Sequence, residues 1–152
     1  MKNLKFSIIT PTHDPDNIPY LVEAFESLCE QSHTNWEWIL FLNNKCLPKY
    51  IPKIIQIHPK VQIYHSYIES PNIGAIKKEA FSLGTGDVLV ELDHDDMLTP
   101  NCLIELNLAY QDDSVGFVYS DAATLKMDGE FIPFQADRSA VWTFLRVRGP
   151  KN

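Results

Sequence analysis

Apolar and polar residues alternate along the chain in blocks that predict strands and helices. Apolar runs without a polar residue at every second position are typical of strands buried on both faces. They predict five strands, at residues 5–10, 36–43, 61–67, 86–92 and 115–120. Apolar residues at helical spacing predict helices between them: after Asn17, after Pro52, at 73–83 and at 101–111.

Two glycines refine this picture. Gly84 follows the third predicted helix and would end it in the left-handed conformation. Asp128-Gly129 lies between two apolar stretches and predicts the turn of a β-hairpin.

The order of these elements predicts an α/β fold. Strands that alternate with helices form a mostly parallel sheet with helices on both faces, and right-handed crossovers make it Rossmann-like. No repeat or linker divides the chain, so we expect one domain over residues 1–152. Ligands of such sheets bind beyond the carboxyl ends of the strands. Four polar clusters follow predicted strands: Thr10 to Asp14, Asn43-Asn44, Ser66 to Asn72, and Asp93 to Asp96.

Composition narrows the class of protein. The 152 residues are 45% apolar and 22% charged, which is ordinary for a soluble globular domain. The net charge of −7 disfavours nucleic acid as a partner, although the last sixteen positions are locally basic. No apolar run approaches the length of a membrane span, and the one after Lys5 is too short for a signal peptide. Three widely spaced cysteines predict reduced thiols and a cytoplasmic location, with Cys29 and Cys102 packed in the core.

The loop after the fourth predicted strand crowds three carboxylates, Asp93, Asp95 and Asp96. Like charges this close repel one another unless a cation or a proton compensates them. Carboxylate oxygens suit Mg²⁺ or Mn²⁺, and Mg²⁺ is usually shared with substrate phosphates, so a nucleoside diphosphate is a natural ligand. The alternative is a solvated acidic loop that also caps the helix near Pro100. We expect a hard cation to bind oxygen in preference to His94.

The start of the third predicted helix is a second candidate. Asn72 and Gly74 lie at its N-terminus, and Lys77 and Lys78 follow one turn later, which suits an anion. A capping asparagine, a glycine needed for backbone fit and two exposed lysines would give the same pattern. The sequence lacks the glycine-rich fingerprints of dinucleotide-binding and P-loop proteins.

Three stretches, in this order, resemble family 2 glycosyltransferases of the GT-A fold: "FSIITPTHD", "PNIGAIKKEAFSLGTGDVLVELDHDDMLTP" and "VYSDAATLKMDGEF". The resemblance covers about residues 5–134. It implies a nucleotide-diphospho-sugar donor, with a UDP-sugar expected, and Mn²⁺ or Mg²⁺ as cofactor. It also implies transfer with inversion to a hydroxyl of a saccharide or lipid-linked saccharide, as in polysaccharide biosynthesis.

The resemblance also implies roles for particular residues. The nucleoside would be bound by residues at the ends of the first two strands: Thr10, Pro11, Thr12, Asp14 and Asn43. Asn72 and Gly74 would begin the helix beside the donor, and Lys78 would approach the diphosphate or steady the aspartate loop. Asp93 would face the ribose or the metal, Asp95 would bind the metal, and Asp96 could share either role.

Two departures from the family pattern leave alternatives open. Asn43-Asn44 stands where the family usually has an acidic pair that recognises the base, so the nucleotide preference is open. The family's acceptor half and catalytic base normally lie beyond the position of Asn152, so we expect the domain to be incomplete on that side. Asp121 and Asp137 are candidates for the base by chemistry alone, and the base stays unassigned.

Two other functions fit parts of the pattern. One is a nucleotide-sugar-binding module without turnover. The other is a phosphatase of the haloacid dehalogenase type, which Met97 and the late position of the aspartates disfavour. If residues beyond the chain normally cover apolar surface, self-association is a further expectation.

Overall fold

The computed structural model describes residues 1–67, 72–120, 122–126, 130–133 and 147–148. Its helices are α1 (Ile18–Cys29), α2 (Lys53–Gln56), α3 (Ile73–Ser82) and α4 (Cys102–Ala109). Short 3₁₀ turns, Pro15–Asn17 and Pro48–Tyr50, precede α1 and α2. Its strands are β1 (Phe6–Thr12), β2 (Trp36–Asn43), β3 (Val61–Ser66), β4 (Val88–Glu91), β5 (Phe117–Val118), β6 (Ala123–Leu125), β7 (Phe131–Pro133) and β8 (Val147–Arg148).

The main sheet has the strand order β3-β2-β1-β4-β8-β5. The pairs β3–β2, β2–β1 and β1–β4 are parallel, and Ile8 of β1 lies opposite Trp38 of β2 and Val90 of β4. β8 is antiparallel to both β4 and β5. The prediction of a mostly parallel α/β sheet is therefore confirmed.

Helices cover both faces of this sheet, as predicted. Successive residues of a strand point to opposite faces, so Ile8 packs in one core cluster and Ile9 in another. The larger cluster lies against α1, α2 and α4, and the smaller one against α3. Both faces of β1 and β2 are buried, which explains why their sequences show no polar alternation.

β1 continues through Pro11 to Thr12, two residues beyond the predicted end. The Ile9 carbonyl accepts a hydrogen bond from the Leu92 N–H, on the β4 side of β1. Backbone groups two residues apart point the same way, so Pro11 also faces that side. Since β4 has already ended at Glu91, no ladder bond is lost to the missing N–H of proline.

Gly84 follows α3 as predicted, but the predicted reason for a glycine at this position is wrong. Gly84 does not adopt the left-handed conformation, and α3 ends with Leu83 in the right-handed region. A Cβ at position 84 would instead come within 2.6 Å of a Leu89 methyl group and 2.9 Å of the Ser7 Cβ. Close packing of the chain against β1 and β4 is what requires glycine here.

The predicted hairpin is confirmed, and the predicted burial of Cys29 is wrong. Antiparallel pairing of β6 with β7 confirms the hairpin, whose turn at 127–129 lies outside the described residues. All three cysteines, which lie in described segments, are free, but Cys29 is exposed at the end of α1 and not packed in the core. Within the described part of the chain, no helix has the length and apolar character needed to cross a membrane.

Candidate functional site

The carboxyl ends of four neighbouring parallel strands lie along one edge of the sheet. Thr12 ends β1, Asn43 ends β2, Ser66 ends β3 and Glu91 ends β4. The strand order brings the first, second and fourth polar clusters of the sequence to this edge. Of the third cluster, residues 68–71 lie outside the described residues.

At the end of β1, the two threonines have different environments. Thr10 is fully buried, and its Oγ1 accepts a 2.8 Å hydrogen bond from the Trp38 indole. Thr12 is also buried, but its Oγ1 has no hydrogen-bond partner among the described residues. A buried hydroxyl without a partner costs free energy, so Thr12 is the one of the two that is suited to bind a ligand group.

Cys46 lies beside this threonine and is also influenced by Asp14. Burial raises the pKa of the Cys46 thiol and the Asp14 charge raises it further, while the nearby Thr12 hydroxyl lowers it. The thiol and the hydroxyl are thus neighbours, although their geometry falls short of a hydrogen bond. Asp14 is half-buried, and its Oδ1 accepts a 3.0 Å hydrogen bond from the Asp16 N–H, which caps the 3₁₀ turn before α1.

Two asparagines end β2. Asn43 is fully buried. Asn44 is exposed and has a φ of 53°, a left-handed conformation that asparagine tolerates better than most residues. Its N–H donates to the Ser66 carbonyl at 3.2 Å. The ends of β2 and β3 are therefore fastened together next to the candidate site.

The start of α3 is capped by its own asparagine. The Asn72 side chain accepts a 2.9 Å hydrogen bond from the Gly74 N–H. A Cβ at position 74 would lie only 3.0 Å from the Asn72 Oδ1, so glycine keeps this cap open. Lys78 is exposed on the same helix. The capping asparagine and the sterically required glycine, which were the alternative to an anion site, are therefore both present.

Lys77, and not Lys78, steadies the aspartate loop. Its Nζ forms an ion pair with the Glu91 carboxylate and a second one with the Asp93 Oδ1 at 3.0 Å. Burial alone would lower the pKa of Lys77, but the hydrogen bonds from its ammonium to Glu91 and Asp93 outweigh burial and raise it. The loop-steadying contact predicted for Lys78 is thus made by its neighbour, because position 77 faces β4 and position 78 faces solvent.

The remaining aspartates are more open. The Asp95 side chain is 59% exposed and lies 3.9 Å from the His94 Nε2. The Asp96 N–H donates to the Asp93 carbonyl, which closes a tight turn. Burial raises the pKa of Asp96, and the charges of Asp95 and Asp93 raise it further.

The carboxylates of Asp93, Asp95 and Asp96 are chemically suited to a hard divalent cation, but they do not form a complete coordination site. Within the described ranges, no three His, Cys, Asp or Glu side chains converge closely enough to hold an ion. Lys77 engages the Oδ1 of Asp93, whose side chain is 45% exposed, whereas Asp95 and Asp96 are exposed and form no ion pair with a lysine among the described residues. Two carboxylates in a region of negative potential are what Mg²⁺ needs when phosphates complete its shell.

The aspartate loop is held from its other side by two residues that sequence reasoning missed. On α1, the Ser27 Oγ accepts from the Leu98 N–H at 3.2 Å. Gln31 donates to the Thr99 carbonyl at 2.8 Å and accepts from the Leu103 N–H at 3.1 Å. Ser27 lies on the buried face of α1, and Gln31 lies two residues beyond the end of that helix. Two polar residues four positions apart in an otherwise apolar pattern were the available signal.

Gln31 also caps the N-terminus of α4. The aspartates do not, because the Leu103 N–H in the first turn of α4 bonds to Gln31. The solvated-loop alternative therefore loses its capping role, although the exposure of Asp95 remains as that alternative expected.

Solved glycosyltransferase structures have a similar fold. The mannosyltransferase PcManGT from Pyrobaculum calidifontis, in complex with GDP-Man and Mn²⁺, has a TM-score of 0.62 at 18% identity, covering 77% of this chain and 35% of that one. S. aureus TarS 1–349 has a TM-score of 0.61 at 20% identity, covering 70% and 32%. It has also been solved in complex with UDP and with UDP-GlcNAc.

The model of the family described as glycosyl transferase family 2 matches residues 7–149, and the chain belongs to this family. The O-antigen biosynthesis protein RfbC of Myxococcus xanthus is 26% identical over 137 residues, which cover 88% of this chain and 10% of that protein. An uncharacterized glycosyltransferase of Rickettsia bellii is 28% identical over 137 residues, 86% of this chain and 18% of that one. The chain thus spans between a tenth and a fifth of these two relatives.

Proposed function

We propose that this chain is the donor-binding domain of a glycosyltransferase that uses a nucleotide-diphospho-sugar. The transfer would go to an acceptor hydroxyl with inversion and would depend on a divalent cation. A UDP-sugar is our first choice of donor. The observation that carries the proposal is the edge of the sheet formed by β1 and β4. Thr12, at the end of β1, has a buried hydroxyl without a hydrogen-bond partner among the described residues, and the exposed Asp95 and Asp96 follow β4.

The two sides of this edge suit two different parts of a sugar nucleotide, the nucleoside and the diphosphate. Thr12, Asp14 and Asn43 would bind the nucleoside, with hydroxyl, carboxylate and amide groups that can accept or donate hydrogen bonds. Thr10 and Pro11 would support that pocket from within the sheet, since both are buried. The PcManGT and TarS complexes support this choice of ligand, because they hold GDP-Man, UDP and UDP-GlcNAc.

The aspartate side would receive the diphosphate and its metal. Asp95 and Asp96 would hold Mn²⁺ or Mg²⁺, and Lys77 would fix Asp93 in place beside them. Lys78, exposed on α3, would approach the diphosphate. When bound, the cation would stabilise negative charge on the departing diphosphate.

A binding module without turnover is the second candidate. It shares every feature of the donor site and differs in having no catalytic base, a residue that stays unassigned in this chain. Both candidate bases, Asp121 and Asp137, lie outside the described residues. The two candidates share the donor site and differ only in sugar transfer.

Calorimetric titration of UDP, with and without Mn²⁺, tests the donor site. We expect binding that requires Mn²⁺ and that Asp95→Asn weakens about 10- to 100-fold, or about 1.4 to 2.7 kcal/mol. Asp113→Asn is the matched control, because it removes the same charge from a carboxylate that is 90% exposed and belongs to an ion pair with Lys2.

Metal-independent binding, or equal binding by Asp95→Asn, would contradict the metal role of the aspartates. If folded protein binds neither UDP nor GDP, the donor site itself is refuted. Binding without release of UDP from a UDP-sugar in the presence of acceptor saccharides would favour the module without turnover.

A further inference from the structure

The connection between β2 and β3 has a charge opposite to that of the whole chain. Residues 38–67 contain four lysines and no aspartate or glutamate, in a chain of net charge −7. Lys60 is already engaged, because its Nζ lies 4.4 Å from the centre of the Trp36 ring and donates to the Thr34 carbonyl. The other three, Lys45, Lys49 and Lys53, are exposed, and none forms a salt bridge within the described residues. The Lys49 Nζ lies 5.0 Å from the centre of the exposed Tyr50 ring.

Exposed apolar side chains are interleaved with these lysines. Ile54 is 63% exposed, Ile57 is 65% exposed and Tyr50 is 44% exposed. The core does not need them, since Ile51 and Ile55 of the same helical stretch are the residues buried against the sheet. We call the exposed residues of this connection the 45–57 surface: Lys45, Lys49, Tyr50, Lys53, Ile54 and Ile57.

The chemistry of this surface fits a lipid bilayer better than a nucleic acid. Phosphates of a nucleic acid would satisfy the lysines but offer no apolar layer for two isoleucines. An anionic bilayer supplies both, with charge at the headgroups and acyl chains a few ångströms deeper. Lysine side chains can keep their ammonium groups at the headgroups while their neighbours insert.

We propose that the 45–57 surface docks the chain on an anionic membrane. The surface begins two residues after Asn43, so docking would bring the site edge at β2 close to the bilayer. It requires neither nucleotide nor metal, so it is independent of the proposed function. An acidic protein or a second copy of this chain are the competing occupants that the experiment must separate.

Flotation of the full chain with vesicles is the direct test. Vesicles of phosphatidylcholine alone are compared with vesicles of equal parts phosphatidylcholine and phosphatidylglycerol. We expect binding to the anionic vesicles only, and loss of binding as salt rises from about 0.1 M to about 1 M, where the Debye length falls from about 10 Å to about 3 Å. Replacing Lys45, Lys49 and Lys53 by glutamine should weaken partitioning about fivefold for each lysine.

A second variant separates insertion from simple charge attraction. Ile54→Ser with Ile57→Ser should weaken binding at least about tenfold while every lysine stays in place. The matched control is Ile73→Ser with Lys78→Gln, two exposed positions on α3, which packs on the opposite face of the sheet. Thermal unfolding by circular dichroism identifies any variant that fails to fold.

Three results would overturn the proposal. One is absence of binding to anionic vesicles by folded wild-type chain. Another is equal loss of binding in the α3 control, which would indicate general charge attraction. The third is a dimer in solution that the two-isoleucine variant abolishes while vesicle binding stays unchanged, which would assign the surface to a second copy.

Discussion

Lys77 shows how one side chain can set the electrostatics of a loop. Its ammonium lies between Glu91, at the end of β4, and Asp93, at the start of the aspartate loop. The Lys77 and Glu91 side chains are only 28% and 13% exposed, so water has little access to the ion pair. Without this cation, two carboxylates two residues apart would repel each other in a partly desolvated setting.

At this scale, Lys77→Met is expected to destabilise the fold and Lys78→Met is not. Loss of one partner of a partly buried ion pair leaves uncompensated charge and should cost about 1 to 3 kcal/mol. An exposed residue without such contacts should change the free energy of unfolding by less than about 0.5 kcal/mol. Urea denaturation of the two variants measures both, and equal losses would refute the role given to Lys77.

At the scale of elements, the segment between α3 and β4 passes unusually close to β1. The Gly86 N–H donates to the Ser7 Oγ at 2.7 Å. A Cβ on Gly86 would lie 2.5 Å from the Lys5 carbonyl oxygen and 2.8 Å from the Ser7 nitrogen. These are backbone atoms, which cannot move aside as a flexible side chain can. The close approach sets where β4 begins, and therefore where the aspartate loop follows.

Gly86→Ala should consequently destabilise the domain by about 3 kcal/mol, at the upper end of ordinary overpacking costs. Gly116→Ala is the matched control, because a Cβ there would meet no heavy atom of the described residues within 4 Å. Thermal unfolding of both variants makes the comparison. A Gly86→Ala variant as stable as Gly116→Ala would show that a methyl group fits between position 86 and β1, and would refute the close approach.

At the scale of the whole molecule, a buried carboxylate joins four segments at the end of the sheet opposite the candidate site. Glu37 of β2 is 5% exposed. It accepts hydrogen bonds from Lys5 and Ser7 near β1, from Gln62 of β3, and from the N–H and hydroxyl of Thr85 before β4. Burial alone would raise the pKa of Glu37, but the hydrogen bonds from Lys5, Ser7 and Thr85 outweigh it and lower the pKa from 4.5 to about 2.

A lowered pKa in the folded state predicts a specific loss of stability in acid. The contribution of Glu37 is fully present above pH 4.5, the pKa in the unfolded chain, and is lost as the pH falls through about 2. Its size is roughly 3 kcal/mol, from about 1.4 kcal/mol for each pKa unit. Glu37→Gln should therefore lower the free energy of unfolding by about that amount at pH 7, and the gap to wild type should close between about pH 5 and pH 2.

Urea unfolding across that range of pH tests this prediction, with the exposed Glu23→Gln as control. A gap that stays constant with pH would mean that the pKa of Glu37 is the same in the folded and unfolded chains. A control that behaves like Glu37→Gln would point to net charge as the cause.

The sequence alone determined the four parallel strands, most helix positions, the mostly parallel sheet and the edge at which polar clusters gather. These depend on periodicity and on the order of elements, which are local properties of the chain, and β2 was placed residue for residue. The sequence did not predict β8, and β5 is shorter than the predicted strand at 115–120. The resemblance to family 2 glycosyltransferases also rested on short contiguous motifs, and the family match confirms it.

Only the tertiary structure decided which side chains meet. It showed that Lys77 and not Lys78 holds the aspartate loop, that Gly84 is required by packing against Ser7 and Leu89, and that Gln31 caps α4. Each of these contacts joins residues from different elements. A one-residue difference along a helix rotates a side chain by about 100°, and nothing in a local pattern tells which of two adjacent lysines will face the strand.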